Sequence, residues 1–178
     1  SPAVIVLCRD TADVQRAVRY ARQEGLAVAV KSGGHSFEGF SSNDGGLVID
    51  LSLLDAVTWG DDARVTVGPA CTLERLYDTL LPAGRIVPAG SCGGVGVGGL
   101  TLGGGYGLFS RKLGLTCDSL LGVTLVDGTG AVRDSRDDPE LLWACKGGGN
   151  GNFGAVTELR FRTHAAPKGL LSHRFKAK

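Results

Sequence analysis

Residues 26–36 read Leu-Ala-Val-Ala-Val-Lys-Ser-Gly-Gly-His-Ser, an apolar run that passes directly into a loop of small residues. The run at 26–30 predicts a buried strand, because a short apolar segment that ends near glycine is typical of one. The loop at 32–36 can expose consecutive backbone N–H groups, which would point into one concavity and bind phosphate oxygens. On these residues alone, a phosphate-binding loop and a plain strand-to-loop turn are equally good interpretations.

The segments around this stretch predict a first lobe that is rich in strands. A helix begins at the capping residues Asp10 and Thr11 and ends at Gly25, with apolar residues at helical spacing between them. Strands are predicted at residues 4–7 and 47–51 and in a hairpin of residues 57–59 and 65–67 turned at 60–62. We assign this lobe to about residues 1–69, with a boundary near Pro69.

The rest of the chain predicts a second lobe, at about residues 70–178. Helices begin at Thr72 and at Asp138, which caps a helix with Pro139 in its first position. Strands are predicted at residues 120–126, 131–133 and 155–163. Residues 172–178 resemble the start of a further strand, so we expect the chain to be part of a longer protein.

Composition excludes several classes of protein. Hydrophobic residues make up 43% of the 178 residues and charged residues 21%, as in ordinary globular domains. The net charge of +1 gives no basic field for nucleic acid, and no apolar run reaches the length of a membrane span. No signal peptide is visible. We expect a soluble protein that binds neither nucleic acid nor membrane, with the cytoplasm as the preferred compartment.

Glycine is in clear excess, at 29 residues. Many lie in residues 90–107 and 147–154, between apolar stretches. This placement indicates folded loops whose backbone lies close to another part of the protein or to a ligand. Residues 94–99 fit the glycine spacing of a Rossmann fingerprint, but residues 100–107 make a poor helix interior. A nicotinamide-binding Rossmann domain is therefore disfavoured.

Two reactive residue types stand in glycine loops, at His35 and Cys92. The other four cysteines lie among apolar residues and are expected to be buried. No Cys-x-x-Cys pair occurs, so we expect no metal site. Taken alone, His35 is more often a hydrogen-bonding residue than a nucleophile, and Cys92 is an ordinary loop thiol.

The motifs become informative in their order and spacing. They are residues 11–14, 31–36, 47–52, 90–92, 95–99, 103–107, 111–118, 143–149 and 152–157. Together they resemble the FAD-binding domain of the vanillyl-alcohol oxidase (p-cresol methylhydroxylase, PCMH) superfamily, closest to the berberine-bridge-enzyme-like oxidases, over essentially the whole chain. The chain departs from the family pattern in two ways. Lys31 and Lys146 stand where the family more usually has arginine, and Gly93-Gly94 stand where Pro-Thr is common.

The resemblance implies an α+β, two-lobed PCMH-type domain over residues 1–178, with an elongated FAD between the lobes. It implies a bond from His35 to the flavin 8α carbon and, as in the bicovalent subset, a second bond from Cys92 to flavin C6. Family members also have a substrate-binding domain, which would follow Lys178 and is absent from this chain.

The resemblance also assigns cofactor-binding residues by position. They are Ser32, Gly33, Gly34, His35 and Ser36 in the first loop; Cys92, Val95, Gly96, Gly98, Gly99, Gly103, Gly104, Tyr106 and Gly107 in the second glycine segment; and Asp118, Gly154 and Val156 further along. No catalytic residue is nominated, because the base and substrate contacts of relatives lie largely in parts that this chain lacks.

The implied activity is oxidation of an alcohol, lactol or amine carbon by hydride transfer to flavin N5, with reoxidation by O2. The implied partners are a small-molecule substrate, O2 and the missing substrate-binding domain. A valine at the position of Val95 goes with rapid reoxidation by O2 in relatives, and a leucine with dehydrogenase behaviour. Two alternatives stay open: a non-covalent FAD reductase of the same fold, and a catalytically silent flavin-binding module.

Overall fold

The computed structural model describes residues 1–169 and contains a small parallel sheet near the N-terminus. Its strand order is β1-β3-β2, with β1 at Val4–Leu7, β2 at Val28–Lys31 and β3 at Leu47–Asp50. Helix α1 (Thr11–Gln23) packs against this sheet through residues of one face, Val14, Ala17, Val18 and Ala21. Asp10 caps α1 by accepting a hydrogen bond from the Asp13 N–H, so this helix and its cap are confirmed.

The strand predicted at residues 26–30 is present as β2, but the expectation that it is buried was wrong, because β2 lies at an edge of the small sheet. Val28 is 44% exposed, and Ala29 is the buried residue of the strand. The centre of the sheet belongs to β3, whose four residues are all buried. A strand of a parallel sheet is buried when it lies between two neighbouring strands. The apolar sequence of the strand does not determine whether it takes that position.

The later strands form two antiparallel sheets, a larger one of five strands and a small one of two. They are β4 (Val57–Trp59), β5 (Arg64–Val67), β6 (Arg85–Ile86), β7 (Leu120–Val126), β8 (Val132–Asp134), β9 (Ala155–Arg162) and β10 (His164–Ala165). Strands β6 and β10 pair with each other, and the other five have the order β4-β5-β9-β7-β8.

The β4–β5 hairpin belongs to this larger sheet, although it precedes the lobe boundary near Pro69, which stays a prediction. Val65 and Val67 of β5 pair in register with Phe161 and Leu159 of β9, and all four are buried. The division between the two sheets therefore falls between β3 and β4, because the apolar side chains of the hairpin match a strand from the end of the chain.

Four shorter helices complete the fold. They are α2 (Leu73–Leu80), α3 (Val97–Leu102), α4 (Ser110–Leu113) and α5 (Pro139–Cys145). Helices α2 and α5 begin where predicted, at the caps Thr72 and Asp138. The strand onset predicted at residues 172–178 lies outside the described residues. Within residues 1–169, no helix is long and apolar enough to cross a membrane.

Arg160 on β9 joins three strands of the larger sheet. Its guanidinium donates to Asp134 on β8 at 2.9 and 3.0 Å, to Glu158 at 2.7 Å and to the Val123 carbonyl on β7 at 3.0 Å. Hydrogen bonds from Arg136, together with those from Arg160, hold the pKa of Asp134 well below its usual range. The network therefore stabilises the sheet while Asp134 is ionised.

Arg160→Met is expected to lower the free energy of unfolding by about 1–3 kcal/mol near neutral pH, because several partly buried acceptors lose their donor. The loss should shrink as the pH falls below the ordinary aspartate pKa of about 3.9 and towards the lowered pKa of folded Asp134, since protonation of Asp134 removes the need for a cation. Urea unfolding across this range measures both effects. Arg136→Met removes a 77% exposed partner of the same carboxylate and should lower the free energy of unfolding by less than Arg160→Met does. Equal losses in the two variants would contradict the role given to Arg160.

Candidate flavin-binding site

The loop at residues 32–36 leaves the carboxyl end of β2 with unused hydrogen-bond donors. Among the described residues, no group accepts a hydrogen bond from the backbone N–H of Gly33, Gly34, His35 or Ser36. Gly34 has a φ of +72°, a left-handed conformation that favours glycine. Gly34 and His35 are exposed, so a ligand can reach this loop from solvent. Consecutive free N–H groups of this kind suit an anion such as phosphate.

An ion pair lies next to this loop, at the ends of β2 and β3. Lys31 Nζ lies 2.9 Å from Asp50 Oδ2, where β2 and β3 end side by side. Lys31 Cε lies 3.6 Å from the place that a Cβ would occupy at Gly34, so the lysine side chain runs along the loop. Burial raises the pKa of Asp50, but hydrogen bonds from Lys31 and Ser52 outweigh burial and keep this pKa below its usual range.

The first glycine loop touches the second. A Cβ at Gly33 would lie only 2.5 Å from the amide nitrogen of Gly96, so the two main chains are in contact. The imidazole Nε2 of His35 lies 3.5 Å from the place of a Cβ at Gly94. The structure thus brings His35 against the loop that carries Cys92, although the two residues are far apart in the sequence.

Cys92 differs from the other cysteines in its exposure, as predicted. Cys92 is exposed, whereas the other four are buried. Burial raises the pKa of the Cys8, Cys71 and Cys145 thiols to about 11. These thiols stay protonated near neutral pH, which leaves Cys92 as the thiol that can act as a nucleophile.

The second glycine segment is shaped mainly by other parts of the protein. A Cβ at Gly98 would lie 2.8 Å from Pro69 Cβ, and a Cβ at Gly107 would overlap the Ala89 carbonyl. The Gly104 carbonyl accepts a hydrogen bond from Cys117 at 2.9 Å. Protein packing thus explains several of these glycines without a cofactor. FAD contact stays a prediction for Gly96, Gly98, Gly99, Gly103, Gly104, Gly107 and the exposed Tyr106.

Three more of the predicted site residues have structural roles. Asp118 Oδ2 accepts a hydrogen bond from the Leu115 N–H at 2.8 Å and closes a local turn. Gly154 lies against the Val126 carbonyl with a φ of +140°. Val156 is 4% exposed and its side chain packs in the core. A contact between FAD and these residues stays a prediction, limited for Val156 to its main chain.

A cavity of about 650 Å³ opens beside the meeting point of the two loops. Part of its lining is the predicted site residues Ser32 and Gly33 together with Gly94, and the remainder is Ser52, Asp55, Ala70, Thr72, Glu74, Arg75, Asp78 and Thr79. None of the α2 residues in this set was predicted from the sequence as a site residue. Their only signal is charge on the polar face of an amphipathic helix, which usually indicates a solvated surface.

The free N–H groups, the neighbouring histidine and thiol, and the mixed helix and sheet fold define a flavin-nucleotide-binding domain. Residues 2–136 match the model of one family, described as FAD binding domain. The chain belongs to this family. The predicted α+β fold and the FAD cofactor are thereby confirmed.

Curated relatives support the predicted enzyme class. (R)-6-hydroxynicotine oxidase from Paenarthrobacter nicotinovorans is 40% identical over 176 residues, 96% of this chain and 38% of the relative. Berberine bridge enzyme-like 12 from Arabidopsis thaliana is 38% identical over 177 residues, 94% of this chain and 33% of the relative. The chain thus spans about a third of the length of these relatives. The predicted resemblance to FAD-linked, berberine-bridge-enzyme-like oxidoreductases is confirmed.

Solved structures add two comparisons. Glucooligosaccharide oxidase from Acremonium strictum, named with a 6-S-cysteinyl, 8α-N1-histidyl FAD, has a TM-score of 0.88 and 34% identity, over 94% of this chain and 36% of that chain. Two variants of Phl p 4 each have a TM-score of 0.86 and 32% identity, over 92% of this chain and 35% of that chain. The variant with one asparagine-to-histidine substitution is named a glucose dehydrogenase. The variant with an additional isoleucine-to-valine substitution is named a glucose oxidase.

Lys31→Met is expected to lower the free energy of unfolding by about 1–3 kcal/mol near neutral pH, because the mostly buried Asp50 then keeps its charge without a partner. The pair contributes fully above the ordinary aspartate pKa of about 3.9, and its contribution is lost as the pH falls through the lowered pKa of folded Asp50. The difference from wild type should therefore shrink in acid, as followed by thermal unfolding at a series of pH values. Lys31→Arg keeps the charge and serves as the control. A difference that stays constant with pH would count against the ion pair.

Proposed function

We propose that the protein is an FAD-dependent oxidase that oxidises an alcohol, lactol or amine carbon and that holds its flavin through covalent bonds from His35 and Cys92. One observation carries this proposal: His35 lies against the loop of the exposed Cys92, in a segment whose backbone N–H groups are free. The imidazole of His35, the thiol of Cys92 and the free N–H groups of the first loop would then face one ligand. The same two residue types are named for the flavin of glucooligosaccharide oxidase.

The first loop fits the pyrophosphate of FAD by its donor chemistry. The N–H groups of Gly33, Gly34 and His35 can donate to phosphate oxygens, and two of these residues have no side chain to obstruct the approach. Bound FAD supplies the acceptor for the hydride and passes its electrons to O2. The described part of the chain binds this cofactor and orients it.

We place the catalytic base and the substrate contacts in a substrate-binding domain outside residues 1–178. The chain spans 38% of the nicotine oxidase relative, which leaves room in such a protein for a second domain. Next to His35, the loop offers glycine and serine, which are poor bases near neutral pH. The small-molecule substrate would then be held mainly by that second domain, against the flavin.

The intact protein is expected to retain its yellow colour after acid precipitation and to show one FAD bonded at two residues by mass spectrometry. His35→Ala should leave one bond at Cys92, and Cys92→Ala should leave one bond at His35. An alkylating reagent should modify Cys92 in the flavin-free protein and spare it in the flavin-loaded protein, because the bonded sulfur is no longer a nucleophile. The four buried cysteines should stay unmodified in both forms and are the internal control. Flavin that is released by acid from the wild type would contradict this prediction and favour the non-covalent reductase.

Val95 is the residue to which we assign control of the reaction with O2. Its side chain is half-buried and packs beside the main core. Its N–H donates to the Cys92 carbonyl at 3.1 Å, and its own carbonyl accepts from Leu73 at 3.0 Å, so the main chain fixes it beside the proposed attachment point. In the Phl p 4 pair, an added isoleucine-to-valine substitution accompanies the change of name from dehydrogenase to oxidase. The interior of a protein is close-packed, so the one extra methylene group of a leucine fills a space of the size that O2 needs.

Val95→Leu is expected to slow reoxidation of the reduced intact protein by O2 about tenfold or more, which corresponds to about 1.4 kcal/mol in the barrier. Electron transfer to a dye should be unchanged, because only access to the flavin by O2 is altered. Stopped-flow absorbance in air-saturated and dye-containing buffer measures the two rates. Val132→Leu, at a 45% exposed position on β8, adds the same methylene away from the loops and should behave as wild type. Slow reoxidation of the wild type itself would exclude an oxidase.

A further inference from the structure

We propose that Ser32 is a positioning residue that couples the two glycine loops, so that His35 and Cys92 can both bond to a single flavin ring. This inference rests on the proposed covalent attachment at both residues. Ser32 was assigned from the resemblance as one of the cofactor-binding residues. The structure instead commits its hydroxyl to the protein, since Ser32 Oγ donates to the Pro69 carbonyl oxygen at 2.7 Å.

The Pro69 carbonyl is shared between the two loops. The N–H of Gly98 donates to the same oxygen at 2.8 Å, from the start of α3. One oxygen thus accepts one hydrogen bond from the loop of His35 and another from the segment that follows Cys92. A shift of either loop would weaken its own bond to this oxygen.

The Cys92 loop is anchored independently of the first loop. Leu73 and Glu74, at the start of α2, donate their N–H groups to the carbonyls of Val95 and Gly93 at 3.0 Å each. The N–H of Val97 donates to the Cys71 carbonyl at 2.8 Å. The position of Cys92 is therefore set by α2 and does not need the first loop.

The His35 loop has far fewer anchors. Within residues 1–169, the Ser32 hydroxyl makes the sole hydrogen bond between residues 32–36 and the segments at 69–74 and 92–98. The remaining link is the contact between the main chains of Gly33 and Gly96. A contact limits how closely the loops approach but does not hold them together, whereas the Ser32 hydrogen bond does.

Two bonds to one ring demand a fixed distance between the two nucleophiles. Each attachment replaces one hydrogen on His35 nitrogen or Cys92 sulfur and one on a flavin carbon, and O2 takes up these two hydrogens with two electrons to give H2O2. The first bond needs only one nucleophile in place. The second bond needs the other nucleophile within reach of a ring that is already tethered, so a loosened Ser32 would slow the second bond in particular.

The test is a time course of flavin attachment in the intact protein, produced without flavin in a riboflavin auxotroph and then supplied with FAD and air. Mass spectrometry of the intact protein and of its peptides separates the species with one bond from the species with two. Ser32→Ala should accumulate the single-bond species and form the second bond about tenfold more slowly or worse, because a displacement of about 1 Å can cost about a hundredfold in rate. Gly33→Ala forces the loops apart and should act in the same direction.

Thr163→Val is the matched control. Thr163 Oγ1 donates to the Ala63 carbonyl at 2.6 Å and accepts from Arg85 Nε at 2.8 Å. Its loss removes a hydroxyl-to-carbonyl bond like that of Ser32, together with one bond to an arginine, and neither is part of a glycine loop. This variant should form both bonds at the wild-type rate. If Gly33→Ala does not fold, Ser32→Ala alone decides the question.

The outcomes separate this inference from the function on which it rests. A wild type without covalent flavin overturns both. A wild type with two bonds and a Ser32→Ala variant that forms both at the same rate overturns the coupling alone. Equal loss of both bonds in Ser32→Ala also overturns it, because Ser32 would then serve FAD binding in general.

Discussion

The main chains of Gly33 and Gly96 touch, and the geometry of the whole site depends on this contact. Each residue must lack a side chain, since a Cβ on either one would meet the backbone of the other. The contact sets how closely the end of the small parallel sheet approaches the segment that begins α3, and the Ser32 hydrogen bond holds the two together. These two parts of the chain have separate hydrophobic cores. His35 lies against the loop that carries Cys92, beside Gly94, where the backbones of the two loops meet.

The glycines of this chain serve two different physical purposes, and the sequence does not distinguish them. Some allow protein to pack on protein, as Gly98 does against Pro69 and Gly107 against Ala89. Others lie in a segment of backbone without internal hydrogen-bond partners, as Gly34 does, and Gly33 serves both purposes. Only the second purpose points directly to a ligand. Several glycines in the long segment after Cys92 therefore allow close packing of protein on protein. The short loop before His35 is the better candidate for binding phosphate.

The sequence predicted features that depend on neighbouring residues, and it missed those that depend on distant ones. The caps at Asp10 and Asp138 mark helices where they were expected, because a capping side chain bonds to its own helix. The place of β2 at an edge and of the β4–β5 hairpin in the larger sheet depends on strands far along the chain. Helix α3 was missed because packing of its glycines overrides their low helix propensity. Within the site, the order of the motifs indicated His35 and Cys92, but the hydrogen bond from Ser32 to Pro69 could be found only in the structure.

The pairing of β5 with β9 has a consequence for how the protein is made. Arg64 pairs with Arg162, so the larger sheet cannot close until almost the whole of the described chain has been synthesised. At about 5–20 residues per second, β5 waits for several seconds on the ribosome with an unpaired edge. Contacts of such long sequence separation also slow folding itself, because loop closure must precede the gain from pairing. The β4–β5 hairpin is therefore exposed to wrong strand partners for as long as β9 has not been made.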